Sequence, residues 1–148
     1  MHALTPEQYA RLGRLAEGWT HRYLRDAKRQ PGFNPRLAAD ALCFQRHRDA
    51  VHGDQLVGAL VTPVSLWLVM VPAGEPGPLP ELGDEAWLSL PSGRYPLETV
   101  ALGEEAWCRR LVLLDDLSDV TSRQAASRLA QQLMERVMAE RPPADGGA

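Results

Sequence analysis

The residues whose types could support catalysis or metal binding are two cysteines and a small group of histidines and aspartates. Cys43 and Cys108 form no Cys-x-x-Cys pair and no zinc-ligand spacing, so we predict two small, buried, unreactive side chains. The other candidates surround a predicted turn and are His47, Asp49, His52 and Asp54. Side chains on a strand–turn–strand segment need not converge, and no third set of ligands accompanies them, so no metal site is expected there.

Sequence motifs typical of common enzymes are missing. The chain contains no G-x-S-x-G nucleophile elbow, no glycine-rich phosphate loop and no H-E-x-x-H motif. Asp115 and Asp116 are adjacent carboxylates, but neighbours on an extended chain point to opposite sides, so we predict that the pair ends a strand. We therefore expect a protein that is not an enzyme and holds no cofactor. The alternative is a small-molecule-binding or enzymatic domain that uses Cys108 or His47, which would require a pocket and a shifted pKa.

The net charge of −3 is unevenly distributed along the 148 residues. Residues 1–55 carry 9 basic and 6 acidic side chains, whereas residues 56–148 carry 7 and 13. An acidic half argues against nucleic acid as a partner and favours a basic peptide, although an acidic surface can also serve solubility alone. The basic side chains before residue 30 lack an aromatic platform, which also argues against nucleic acid.

The densest apolar run, Leu56–Pro72, organises the predicted fold. It is shorter than the roughly 20 residues that a membrane-spanning helix needs, so no membrane span is expected. Pro63 would interrupt one long strand or helix. We therefore predict two buried strands, about Leu56–Thr62 and Leu66–Val71, joined by a tight turn at Pro63-Val64-Ser65.

Helices are predicted at both ends of the chain. Thr5 and Gln8 have capping-box spacing, Pro6 fits the first helical position, and apolar residues then recur every three or four positions. Thr121 and Gln124 repeat the capping-box spacing ahead of a second amphipathic stretch. Its predicted buried stripe consists of Ala126, Leu129, Ala130, Leu133 and Val137.

Further strands are predicted between these helices. They lie within Leu37–Arg48, over Tyr95–Ala101 and over Trp107–Leu114, and Trp87–Leu90 is predicted to be either a strand or the end of a short helix. Leu42 and Phe44 are expected to share one face of the first of them, because strand side chains alternate. The element order predicts an α+β fold, with a largely antiparallel meander sheet of about five strands flanked by an N-terminal and a C-terminal helix. Both helices are expected on one side of the sheet.

One domain is expected over residues 1–141, because a chain of this length can bury a single core. Residues 142–148 are rich in proline, glycine and alanine and are predicted to form a disordered tail. Met1–Glu17 is mixed in polarity and lacks the charged, apolar and small-residue order of a signal peptide, so we expect a cytoplasmic protein.

Several short motifs occur in an order that resembles one known protein family. They are Asn34-Pro35 with Leu37–Phe44, then Gly58–Pro63, Leu66–Pro72, Trp87–Pro91 with Gly93 and Tyr95, and an Ala/Leu-rich terminal helix. This order resembles the nickel–iron hydrogenase assembly chaperones of the HybE/HupJ type over about residues 33–138. The chain departs from the pattern at Val64, where the family often has an aromatic residue. It departs again at Leu113–Ser118, where a Ser-Leu-x-Ser-Pro-like segment is common.

The resemblance implies a non-enzymatic maturation chaperone for the hydrogenase small subunit, the subunit that carries iron–sulfur clusters. The implied client is the precursor of that subunit or its twin-arginine signal peptide, bound before cluster assembly and export. Other hydrogenase maturation factors are implied as further partners. Some relatives append a rubredoxin domain, but this chain has no paired Cys-x-x-Cys motifs, so bound iron is not implied. A general peptide-binding module is the remaining alternative.

A chaperone that holds an unfinished polypeptide needs an apolar surface with charge to orient it. The predicted partner-binding residues are Thr62, Pro63, Trp67, Trp87, Tyr95 and Trp107. Each tryptophan could instead belong to the core, and the Thr-Pro pair could simply form a turn. The proline-rich loop Pro72–Pro80, together with Trp67 and Trp87, is the predicted location of a binding groove.

Overall fold

The computed structural model describes residues 3–103 and 106–140 of the chain. Its elements are α1 (Pro6–Ala27), β1 (Asp40–Asp49), β2 (Gly53–Val61), β3 (Leu66–Pro72), β4 (Glu85–Leu90), β5 (Gly93–Ala101), β6 (Trp107–Leu114) and α2 (Arg123–Met138). The predicted tail at 142–148 lies outside the described residues. Neither of the two helices in the described ranges is long and apolar enough to cross a membrane.

The strands form one antiparallel sheet in the order β1-β2-β3-β6-β5-β4. The predicted α+β class and antiparallel sheet are confirmed, with six strands in the described part of the chain rather than about five. The sheet consists of two three-stranded meanders that meet where β3 pairs with β6. The meander is interrupted once, because the chain after β3 crosses to the far edge before β4 begins.

The predicted central hairpin is confirmed. Strands β2 and β3 pair from Gln55 opposite Pro72 to Val61 opposite Leu66. In the turn between them, the Thr62 hydroxyl accepts the N–H groups of Val64 (3.1 Å) and Ser65 (2.9 Å). Pro63 needs no partner for a missing N–H, so the turn has few unsatisfied polar groups.

The two faces of this hairpin are covered by different helices. On one face, α2 packs against Val57, Ala59, Leu66, Leu68 and Met70. On the other face, α1 packs against Leu56, Leu60, Trp67, Val69 and Val71. The prediction that both helices lie on one side was wrong. A strand that is apolar at every position has two apolar faces, and each of them must be removed from water.

The first strand is irregular at Cys43, which has a positive φ of 60°. Leu42 pairs with Ala59 and Gln45 with Val57, so β1 carries one extra residue, a β-bulge. As a result Leu42 packs towards α2 while Phe44 packs towards α1, against the prediction that they share a face. Phe44 lies over Gly58, where any side-chain carbon would overlap its ring.

The helix starts agree with the sequence patterns to within one residue. Thr5 and Gln8 form the predicted capping box of α1. The cap of α2 is Ser122, whose hydroxyl accepts the Ala125 N–H at 3.0 Å, and not Thr121 as predicted. Both residues are capping types, and only the backbone geometry at Ser122 decides between them.

The buried stripe of α2 differs in part from the predicted one. The residues of α2 that are buried are Ala126, Ala130, Met134 and Val137, whereas Leu129 and Leu133 are half-buried.

The sheet curves until its two edge strands approach each other. His47 Nε2 of β1 lies 3.1 Å from the carbonyl oxygen of Ser89 in β4. At the turn after β4, the Ser92 hydroxyl donates to the carbonyl oxygen of Val137 at 2.7 Å, which ties the turn to the end of α2. The sheet therefore curls around α2, and α1 packs on its outer surface.

Candidate functional site

The ionisable residues near position 50 hold a turn together. One Asp49 carboxylate oxygen accepts the N–H groups of Val51 (3.0 Å) and His52 (2.8 Å). Arg48 forms an exposed ion pair with Asp54 at 3.0 Å. Within residues 3–103 and 106–140, no three histidine, cysteine or acidic side chains come together as metal ligands.

The two thiols differ in position but share a raised pKa. Cys108 is buried, as predicted, and burial raises its pKa to about 12, although Arg110 acts in the opposite direction. Cys43 is exposed at the β1 bulge, so its predicted burial was wrong. Its pKa is also raised, first by partial desolvation and then by the charge of Glu135. A thiol with a raised pKa stays protonated at neutral pH and is a weak nucleophile.

An open groove of about 460 Å³ lies between α1, the start of the proline loop and the start of β6. Its apolar lining comes from Leu12, Leu15, Val71, Pro72, Pro76, Leu102, Ala106 and Trp107. Charged and polar side chains also line it: Glu7, Arg11, Arg14, Glu17, His21 and Glu75. Such a mixture suits an apolar segment that carries charges at its ends.

Polar contacts fix one wall of this groove. The Arg11 guanidinium donates to the carbonyl oxygens of Pro72 and Ala73, the latter at 3.2 Å. The Gln8 side-chain amide donates to the same Ala73 carbonyl at 3.0 Å. The proline loop is therefore attached to α1 through main-chain acceptors, so the start of the loop is held beside the helix.

The opposite end of the groove depends on a close helix–backbone contact. A side-chain carbon on Gly18 would overlap the Leu102 carbonyl oxygen, so only glycine allows α1 to approach the chain after β5 this closely. Gly18 itself lines the groove beside Leu15. The periodic apolar stripe of α1 indicated a buried face, but gave no sign that part of this face would line a groove.

Three of the predicted partner-binding residues lie inside the fold. Thr62 and Pro63 are buried in the central turn. Trp67 is 5% exposed, and its indole N–H donates to the Ser65 hydroxyl at 2.8 Å. The Arg110 guanidinium stacks over the same indole, with its carbon 4.5 Å from the ring centroid. In this structure these three residues present little surface to a partner.

The other three predicted residues lie in separate places. Trp107 is 7% exposed and lines the groove. Tyr95 is half-buried, and its hydroxyl is hydrogen-bonded to Ser92 in the turn between β4 and β5. Trp87 is 49% exposed on β4. The proline loop does line the groove, through Pro72 and Pro76, but neither Trp67 nor Trp87 does.

This chain was compared with family models, with curated proteins and with solved structures. The family model described as "[NiFe]-hydrogenase assembly, chaperone, HybE" matches residues 10–146. A hydrogenase expression/formation protein, HupT of Azotobacter chroococcum mcd 1, is 34% identical over 116 residues, which cover 76% of this chain and 72% of that protein. The solution structure of HybE from Escherichia coli is similar over 57% of this chain and 52% of that one, about half its length, with 24% identity and a TM-score of 0.49. The family match over most of the chain and the HupT relative show that this protein belongs to the HybE family of [NiFe]-hydrogenase assembly chaperones.

Proposed function

We propose that this protein is a non-catalytic chaperone for the hydrogenase small subunit and binds the precursor, or its twin-arginine signal peptide, before cluster assembly and export. The observation that carries the proposal is the groove beside α1. Its apolar lining offers a place for an unfinished apolar segment, and its charged side chains can orient the ends of that segment.

The chemistry of the described residues supports a binding role over catalysis. Burial holds Cys108 in its protonated form, and the exposed Cys43 also has a raised pKa. The imidazole of His47 contacts the backbone carbonyl of Ser89. Cys43 lies four residues away on the same strand, and Cys108 lies on β6, which does not pair with β1. The alternative of an enzyme that uses Cys108 or His47 gains no support from these positions.

We further propose a cytoplasmic site of action, with other hydrogenase maturation factors as partners and no role in nucleic-acid binding. Two unpaired thiols agree with a reducing compartment. The acidic excess after residue 55 would repel a phosphate backbone. A general peptide-binding module is the second candidate, because exposed charges alone would attract many basic segments.

Site-specific photocross-linking tests the groove. A benzoylphenylalanine placed at His21, which lines the groove, should cross-link to the tagged small-subunit precursor in cells that express the hydrogenase. The matched control is the same photoreactive residue at Thr20, which is exposed on α1 and does not line the groove. Equal cross-linking from both positions would contradict binding in the groove.

Co-purification separates the precursor from its signal peptide. The tagged precursor is prepared with and without the signal peptide, and recovery of this protein is measured at low and high salt. Recovery that depends on the signal peptide would identify that segment as the contact. Recovery with neither form would contradict the small-subunit assignment, whereas salt-sensitive binding to unrelated basic proteins would favour the general module.

A further inference from the structure

One face of the β4–β5 hairpin is not covered by any described element. Register places Glu85 opposite Glu98, Trp87 opposite Pro96, and Ser89 opposite Arg94. Residues directly opposite each other in an antiparallel pair share a face, and all six side chains are exposed. We call these six residues the outer face of the hairpin. The inner face carries Leu88, Tyr95 and Leu97, which pack towards α2.

Trp87 lies at the centre of the outer face. It is 49% exposed, so half of a large amphipathic ring faces solvent. The Arg94 guanidinium stacks over it, with its carbon 4.8 Å from the ring centroid. The ring is thus oriented to receive a guanidinium, and an intramolecular one occupies it here.

A like-charge pair lies beside this ring. Glu85 and Glu98 are directly opposite each other, an arrangement that destabilises a sheet. Glu98 is compensated by Arg110, whose Nη2 lies 2.8 Å from its carboxylate. Among the described residues Glu85 makes no ion pair, and its neighbour Asp84 adds a further exposed negative charge. Residue pairs that destabilise the fold locally tend to occur at functional positions.

We propose that the outer face of the hairpin is a second binding surface that receives an arginine side chain of a partner polypeptide. Trp87 is the stacking platform, and Glu85 supplies the carboxylate that binds the guanidinium. Arg94 covers the ring in the free protein and is displaced on binding. Arginine fits better than lysine, because a planar guanidinium can stack and form two parallel hydrogen bonds.

This surface is distinct from the groove. None of its six residues lines the groove, and the inference does not depend on the small-subunit assignment. Charge favours a basic occupant over an acidic one, since a partner cation would relieve the Glu85–Glu98 repulsion and a partner anion would add to it.

Peptide titration followed by NMR tests the proposal. The probes are three capped hexapeptides, Gly-Ser-Arg-Arg-Ser-Gly and its versions with two lysines or two glutamines. The readout is the Trp87 indole N–H signal, assigned from its loss in Trp87→Phe. We expect this signal to shift most with the arginine peptide, less with the lysine peptide and not with the glutamine peptide.

Three variants make the test specific. Glu85→Gln should lower the affinity for the arginine peptide by about two- to fivefold. Glu135→Gln, which removes an exposed charge on α2, should leave that affinity unchanged. Arg94→Gln should strengthen binding, because it removes the competing guanidinium. Weaker binding by Arg94→Gln, equal responses to all three peptides, or no effect of Glu85→Gln would each overturn the proposal.

Discussion

Gly18 of α1 lies directly against the carbonyl group of Leu102, so that any side-chain carbon at position 18 would overlap the Leu102 oxygen. This contact sets how closely the first helix approaches the sheet, and both residues line the groove. A residue that lowers helix propensity is thus placed where close packing requires it.

Gly18→Ala should lower the free energy of unfolding by about 1–3 kcal/mol, because overlap with a backbone group outweighs the gain in helix propensity of about 1 kcal/mol. Gly13→Ala is the matched control, since nothing lies within 4 Å of a side-chain carbon at that position of the same helix. The control should be stabilised by about 0.5–1 kcal/mol. Urea denaturation measures both variants, and effects of the same sign would contradict the close contact.

Cys43→Gly should be more stable than Cys43→Ala by about 1 kcal/mol, because the positive φ at the β1 bulge suits glycine and strains other residues. The order should reverse at Gln45, a regularly paired position of the same strand, where glycine should be less stable than alanine. The four variants are compared by thermal and urea denaturation. The same order at both positions would argue against a strained conformation at Cys43.

Cys108 should make stability depend on pH above neutrality. Its pKa is raised from 9.0 to about 12 in the folded state, so above pH 9 the thiol loses its proton in the unfolded chain first. The stability that the buried thiol contributes is therefore complete below pH 9 and is lost as the pH rises from about 9 to 12. The stability advantage of the wild type over Cys108→Ala should fall by up to about 1.4 kcal/mol per pH unit in that range. Urea denaturation of both proteins at pH 8 and pH 10.5 measures the difference, and an unchanged advantage would contradict the shift.

Asn34 joins three segments and is 2% exposed. Its side-chain amide donates to the carbonyl oxygens of Leu117 (2.9 Å) and Val120 (2.8 Å), and its backbone N–H donates to Pro63. Asn34→Ala should lower the free energy of unfolding by about 1–3 kcal/mol, because the Leu117 and Val120 carbonyl oxygens lose their hydrogen-bond donor. Arg36→Ala, an exposed change nearby, should cost little by the same urea assay. Similar losses in both variants would argue against this bridging role.

Tyr95→Phe tests whether this predicted partner-binding residue is needed for contact or for folding. Its hydroxyl bonds to Ser92, which in turn holds the end of α2 through Val137. Loss of the hydroxyl should lower stability by about 0.5–1.5 kcal/mol and leave recovery of the precursor unchanged. Loss of recovery without loss of stability would show instead that Tyr95 contacts the partner.

Local sequence patterns were sufficient for most of the element boundaries. The capping box at Thr5, the proline that divides the apolar run, and the alternation in the later strands each act within a few residues, so they can be recognised without the fold. The β1 bulge escaped this reasoning. The alternation rule assumes one residue per pairing position, and only the pairing with β2 shows the extra residue at Cys43.

The candidate site was only partly predictable. The proline loop was expected beside a groove and does line one, but Trp107 is the tryptophan that joins it there. The three tryptophans on strands, Trp67, Trp87 and Trp107, have the same hydrophobicity, and their burial depends on which strand neighbours which. Because β6 inserts beside β3, Arg110 stacks on Trp67, whereas Trp87 follows β4 to the edge of the sheet and remains exposed.

The sequence by itself determined the class of elements, the central hairpin and the family resemblance, because these depend on residue types at short, fixed spacings. The tertiary structure decided that the two helices cover opposite faces, that the meander is interrupted between β3 and β4, and that α1 forms one wall of the groove. These features depend on contacts between residues far apart in the chain. Local periodicity shows which face of an element is buried, but not which other element covers it.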